Sequence, residues 1–121
     1  IADLAAEVLE TAPEDALVAV ETAGGVRSPV ADDGDSCALI DALAPALVVL
    51  VADAGLGTIN LVRMTVDALR EHAVVVHLNN FDPVWHLHAR NADWLRTREG
   101  LEVVTDIEAL TTRVEPLVPR P

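Results

Sequence analysis

The most constraining stretch of the chain is the apolar run Leu47-Val48-Val49-Leu50-Val51, followed by Asp53-Ala54-Gly55-Leu56-Gly57-Thr58-Ile59-Asn60. An unbroken run of Val and Leu, without polar alternation, predicts a strand buried on both faces. The glycines behind it let the backbone turn sharply and approach a ligand closely. Thr58 then reads as the N-cap of a helix through Arg70, with Ile59, Val62, Val66 and Leu69 on one stripe. A strand, a glycine loop and a helix N-terminus leave free backbone N–H groups pointing at an anion. A plain strand-to-helix turn uses the same residues, and this stretch alone does not separate the two.

The rest of the chain repeats the pattern. Ile1, Leu4, Ala5, Val8 and Leu9 fall at helical spacing, and Thr11-Ala12-Pro13 closes that helix. A chain that opens abruptly in a helix is expected to lack an upstream segment. Ala16 to Val20 reads as the first strand, ending at Glu21 and followed by the loop Glu21-Thr22-Ala23-Gly24-Gly25. Val30 to Gly34 is polar and turn-rich; Ser36 then caps a short helix to Leu43, stopped by Pro45. Ala73 to Leu78 gives the third strand and leads into Asn79-Asn80-Phe81-Asp82-Pro83. Asp82 as N-cap, with Pro83 in the first helical position, starts a helix to about Arg98, which Gly100 terminates. Glu102 to Thr105 is a short fourth strand. Asp106 caps a last helix carrying Ile107, Leu110 and Val114, and Pro116 and Pro119 predict a non-helical tail. This alternation predicts an α/β fold, a parallel sheet with helices on both faces. Ligands in such sheets bind beyond the carboxyl ends of the strands, where three of the four predicted strands carry a conspicuous loop.

Composition narrows the class. A chain of 121 residues, 51% hydrophobic, is expected to be one domain with a sizeable core. No apolar run reaches the length of a membrane span and no signal-like segment opens the chain, so a cytoplasmic protein is expected. The net charge of -12 argues against nucleic acid and anionic membrane surfaces. Cys37 is the single cysteine; it cannot form an internal disulfide and reads as a small buried apolar residue. All eight basic residues are arginine.

The loops carry the candidate chemistry. Glu21 at a strand end can hold Mg²⁺ directly or through water, and Gly24 and Gly25 can offer N–H groups to phosphate oxygens. Equally, Glu21 merely ends a strand in a surface loop. Thr58, Ile59 and Asn60 would present helix N-terminal N–H groups to a carboxylate or phosphate. Asn79 has an amide that both donates and accepts, as an adenine edge requires; a turn residue is the alternative, and Asn80 beside it leaves the choice open. His86 and His88 diverge by about 200° on a helix, and with His72 and His77 they lack zinc-ligand spacing, so they read as solvated or packing residues. Trp85 and Trp94 are expected to pack, and Arg96 and Arg98 to lie on a solvated face.

Together these residues resemble the dethiobiotin synthetase family. Glu21-Thr22-Ala23-Gly24-Gly25 with Pro29 is similar to the family's Glu-Gly-Ala-Gly-Gly loop, and Leu56-Gly57-Thr58-Ile59-Asn60 to its Leu-Gly-Thr-Ile-Asn loop. Asn79 to Pro83, followed by Asn91, continues the likeness into the adenine-side loop and next helix. The resemblance covers most of this chain but only about the C-terminal half of the family's length. It implies a P-loop NTPase-like fold, incomplete here at the N-terminus, and a homodimer or a complementary N-terminal half as partner. The implied reaction is ATP-dependent ureido ring closure of 7,8-diaminononanoate with CO₂, in biotin biosynthesis. By likeness, Glu21 is a Mg²⁺ ligand and Gly24 and Gly25 lie near the terminal phosphate. Thr58, Ile59 and Asn60 hold the substrate carboxylate of the neighbouring subunit, and Asn79 reads adenine. The sequence departs from the family in three places. It contains no Gly-x-x-x-x-Gly-Lys-Ser/Thr phosphate loop and no lysine, Thr22 replaces a glycine, and Val103-Val104-Thr105-Asp106 replaces a Gly-x-x-Pro loop. This stretch alone is therefore not expected to catalyse phosphoryl transfer. The alternatives are a degenerate, non-catalytic relative serving as an interaction or regulatory subunit, and a P-loop relative that carboxylates or amidates another substrate.

Overall fold

The computed structural model describes residues 1–13 and 15–119. They form two compact units: Ile1–Ala46 with the C-terminal segment beginning at Pro116, and Leu47–Glu115.

In the first unit, α1 (Ala2–Thr11) is followed by β1 (Pro29–Ala31), β2 (Gly34–Asp35) and α2 (Ser36–Leu43). The two strands make a small antiparallel hairpin with Pro29 opposite Asp35, where the sequence predicts only a polar turn. The N-cap of α2 is Asp35 rather than Ser36. Its Oδ1 accepts the Ala38 N–H at 3.0 Å, and its Oδ2 accepts the Arg27 guanidinium at 3.2 Å. Ser36 is instead the first helical residue, its hydroxyl buried without a hydrogen-bond partner among the described residues. Ala44 turns left-handed at φ 45° and closes the helix ahead of Pro45. The strand expected at Ala16–Val20 is absent, and Leu17, Val18 and Val20 are exposed. A strand needs a ladder partner, and among the described residues none pairs with this segment.

In the second unit the chain runs β3 (Val48–Asp53), α3 (Thr58–Ala68), β4 (Val74–Asn79), α4 (His86–Thr97), β5 (Val103–Val104) and α5 (Ile107–Val114). A 3₁₀ turn at Glu115–Leu117 follows, so the proline tail is not wholly irregular; proline fits the first turn of a helix, where no N–H is needed. The sheet is parallel, in the order β3-β4-β5. Val48 pairs with Val74 and the register runs without a slip to Asp53 opposite Asn79, so both loops leave the sheet at one level.

Ala52 of β3, Val76 and Leu78 of β4 and Val103 of β5 share one core with Val62 of α3 and with Ala92 and Leu95 of α4. Each large side chain fully buried there contributes about 1.5–3 kcal/mol. Two-sided burial belongs to β4, where Val75, Val76, His77 and Leu78 are all buried. In β3 the Ala52 face enters the core while Val49 and Val51 are exposed. The Val-rich run there reflects β-propensity rather than two covered faces.

Helix boundaries follow local hydrogen bonding. Gly57, at φ 90°, is the N-cap of α3, and Thr58 is its first helical residue rather than its cap. Asp82 and Pro83 do not start α4. The Asp82 carboxylate accepts the Val84 N–H at 2.9 Å and its carbonyl accepts the Trp85 N–H at 3.1 Å, which diverts the chain into a turn before His86. At the other end Gly100 is left-handed at φ 67°, and the Leu101 N–H returns to the Leu95 carbonyl at 3.1 Å. Asp106 caps α5 through the Ala109 N–H at 2.8 Å, as the sequence predicts.

The buried stripe of α4 is His88, Asn91, Ala92 and Leu95. Trp85 and Trp94 are off it, 60% and 45% exposed, and do not form core. Arg96 is not simply solvated, because its Nε and Nη2 donate to the Val103 carbonyl at 3.2 and 3.0 Å. Arg98 lies over the Trp94 ring at 5.8 Å. Among the described residues no helix is long and apolar enough to cross a membrane.

Candidate functional site

The loop after β3 is built around Asp53. Its Oδ1 accepts the Gly55 N–H at 2.8 Å and its Oδ2 accepts the Asn80 side-chain amide at 3.2 Å. The Gly55 N–H first, and then Asn80, hold this carboxyl below the ordinary carboxylate pKa. A Cβ on Gly55 would sit 2.8 Å from Asp53 Oδ1, so a larger residue here would have to displace the Asp53 carboxylate from its bond to the Gly55 N–H. Two residues on, Gly57 starts α3, and the first bond from the cap runs from the Leu61 N–H to the Gly57 carbonyl at 3.1 Å. The N–H groups of Thr58, Ile59 and Asn60 precede that bond, and no side chain caps them. Their partial positive charge suits a carboxylate or a phosphate oxygen. Thr58 is 4% exposed, its Oγ1 without a partner among the described residues. Asn60 is exposed, its Nδ2 resting 3.6 Å from Met64 Sδ.

The loop after β4 joins the first. The Asn79 carbonyl accepts the Ala54 N–H at 3.0 Å, and the Asn79 residue is exposed at the end of its strand. Asn80 takes the left-handed conformation at φ 55°, which asparagine tolerates, and so reaches Asp53. From α4, the Asn91 Nδ2 donates to the Ala54 and Gly55 carbonyls at 2.9 and 2.8 Å. A groove of about 370 Å³ runs beside this cluster, lined by Ile59 of α3 and by His86, Leu87, Arg90, Asn91 and Trp94 of α4. It places Arg90 beside the apolar Ile59, Leu87 and Trp94 and the polar His86 and Asn91, next to the start of α3.

Glu21, Gly24 and Gly25 belong to the first unit. Glu21 is exposed on an irregular segment rather than at the end of a strand. Gly24 is left-handed at φ 85°, and the Gly25 N–H donates to Ser28 Oγ at 3.0 Å, so that amide already has an acceptor. The Cys37 N–H binds the Val26 carbonyl at 3.0 Å and ties this loop to α2. Cys37 is buried, as expected, and burial raises its thiol pKa. No group of three or more His, Cys, Asp or Glu among the described residues could hold a metal. A lone exposed carboxylate suits Mg²⁺ only as one ligand beside phosphate oxygens and water.

The structure therefore brings Thr58, Ile59, Asn60 and Asn79 into one pair of linked loops within the second unit. Sequence reasoning missed Asp53, Asn80 and the bonding of Asn91. A readable signal existed for Asn91: it falls with His88 on the phase of the α4 stripe, where a polar residue must find a partner.

A parallel α/β unit with loops at the carboxyl ends of adjacent strands belongs to the class of open α/β folds that bind ligands there. The comparisons agree: the AAA domain family matches residues 1–116, and the chain belongs to it. Within that class it is related to dethiobiotin synthetases. The ATP-dependent dethiobiotin synthetase BioD of Clostridium botulinum (strain Eklund 17B / Type B) is 31% identical over 93 residues, covering 73% of this chain and 41% of the relative. The chain thus spans about two fifths of the length of the curated relative it matches. No solved structure gives a significant match.

Proposed function

We propose that this chain forms part of a dethiobiotin synthetase-like ligase that uses ATP and Mg²⁺ to close the ureido ring of 7,8-diaminononanoate with CO₂. The observation that carries the proposal is the uncapped start of α3, where Gly57 leaves the Thr58, Ile59 and Asn60 N–H groups without intrahelical acceptors. In this reading they hold the substrate carboxylate, and the exposed Asn60 amide adds a donor. Asn79, on the linked loop, reads the adenine edge. Gly24 and Gly25 lie near the terminal phosphate, and Glu21 contributes one oxygen to Mg²⁺, which would neutralise phosphate charge when bound. The assembly is a homodimer, or a complex with a complementary N-terminal half that supplies the phosphate loop and its lysine.

Asn60→Asp in the natural full-length protein tests the carboxylate role. An acid in the first turn suits the helix dipole, so folding is spared. Like-charge repulsion should weaken 7,8-diaminononanoate binding by about tenfold or more, while ATP affinity changes by less than about twofold. Unchanged diamine-acid affinity in calorimetric titration would sink the assignment.

A second reading is a non-catalytic relative that serves as an interaction or regulatory subunit. Phosphoryl-transfer loops draw on a lysine, so this reading requires a natural polypeptide without such a loop. Assay of the natural polypeptide for ATP-dependent CO₂ incorporation separates the two readings.

A further inference from the structure

The buried stripe of α4 contains two polar residues where apolar ones would pack. His88 is 5% exposed and Asn91 6%. Burying such groups is unfavourable unless they are hydrogen-bonded, so their partners reveal what they hold. Asn91 spends its side-chain amide on two successive carbonyls, Ala54 and Gly55, in the loop after β3. His88, one turn earlier, accepts the Asp82 N–H on Nδ1 at 3.0 Å, in the loop after β4. With Nδ1 as acceptor, the neutral imidazole carries its proton on Nε2. That nitrogen faces the loop after β3, 3.9 Å from where a Cβ on Gly55 would lie. Ring contacts fix the imidazole: Trp85 stands 4.7 Å away, centroid to centroid, and Phe81 6.1 Å.

We infer that His88 and Asn91 are positioning residues that hold the loops after β3 and β4 in one arrangement, His88 through Asp82 and Asn91 through Ala54 and Gly55. The importance of those loops for ligand binding rests on the function proposed above; the holding role does not. A helix placed behind two strand ends thereby sets the distance between a carboxylate-binding helix start and the Asn79 loop. Leucine at either position would suit the stripe and bury more apolar surface, but it would leave the loop groups unheld.

The test uses the ¹⁵N-labelled natural full-length protein with His88→Leu, His88→Asn and Asn91→Leu. Asparagine at 88 keeps an acceptor near the place of Nδ1, and leucine does not. In the wild type, the imidazole ¹⁵N spectrum should show Nδ1 as the unprotonated nitrogen. His88→Leu should speed exchange of the Asp82 amide by about tenfold or more while the Val76 and Leu78 amides of β4 keep their protection, and His88→Asn should recover most of the loss. Asn91→Leu should shift the Gly55 and Leu56 amide resonances and weaken 7,8-diaminononanoate binding by about fivefold or more. Unchanged Asp82 exchange in His88→Leu overturns the inference. So does a uniform loss of protection across β4 that His88→Asn fails to rescue, because His88 is then ordinary packing. A wild-type protein that binds no 7,8-diaminononanoate removes the functional reading, while Asp82 exchange and its rescue still decide the holding role.

Discussion

Replacing Gly57 by alanine isolates the backbone geometry that starts α3. Gly57 sits at φ 90°, and a Cβ added there would meet nothing within 4 Å. The substitution therefore creates no clash, and its whole cost is conformational. An L-residue held in the left-handed region costs about 1–2 kcal/mol. Against this, alanine lowers the entropy of the unfolded chain and returns about 0.4–1 kcal/mol. The difference is a net loss of about 1 kcal/mol, or about 2–5 °C in Tm for a chain of this size. Gly57→Asn should lose less, because asparagine enters that region more readily. Urea unfolding followed by circular dichroism, at constant m-value, measures both. Gly55→Ala is the contrast: its Cβ would lie 2.8 Å from Asp53 Oδ1, so the cost there comes from displacing a carboxylate rather than from φ. If Gly57→Ala were clearly stabilising, as at a site that alanine fits, Gly57 would not hold a positive φ in solution and α3 would start elsewhere. The uncapped N–H groups assigned to the ligand would then lose their basis.

Three further outcomes are expected. The folded state depresses the Asp53 pKa through the Gly55 N–H and Asn80, so its contribution is fully present above the unfolded carboxylate value of about 3.9 and is lost as pH falls through the lower folded value. Between about pH 5 and pH 2, Asp53→Asn should flatten the acid limb of the stability profile relative to wild type, and an unaltered limb would show that Asp53 is not held in this way. Leu95→Ala removes a side chain fully buried in the main core and should cost about 2–5 kcal/mol by chemical denaturation. Asp106→Ala deletes the acceptor of the Ala109 N–H and should cost about 1 kcal/mol, with amide exchange rising in the first turn of α5.

How far the sequence could be read depends on whether a signal is local. The strands around Val48–Asp53 and Val74–Asn79 were legible because Val-rich runs bounded by glycine and asparagine carry their own punctuation. The cap at Asp106 and the stop at Gly100 were legible for the same reason. Ala16–Val20 carries an equally good β pattern, yet it forms no strand, because pairing is a property of a neighbour and not of the segment. At Asp82-Pro83 two local rules competed: a sound helix start lost to an Asx turn that also delivers the Asp82 N–H to His88. The local pattern placed Thr58, Ile59, Asn60 and Asn79 after two strands, and they lie at the start of α3 and the end of β4. It did not show Asp53 and Asn80 bonding between the loops, which depends on the register that sets Asp53 opposite Asn79.

The proposed carboxylate site has to work in a chain of net charge -12 that contains no lysine. A carboxylate approaching the second unit meets a repulsive overall field, so attraction must come from fixed groups at short range. Under the proposed function the start of α3 would supply them as backbone dipoles, which need no cationic side chain, and Arg90 lines the adjoining groove. Asp53 lies close behind the same loop, and left free it would oppose an incoming anion. Instead its two oxygens are turned onto Gly55 and Asn80, spending its lone pairs on the scaffold. One carboxylate thus shapes the turn that precedes those N–H groups, and it stays ionised while two fixed donors satisfy its oxygens. At this position part of the sequence's excess negative charge shapes the turn, which under the proposed function serves a ligand of the same sign.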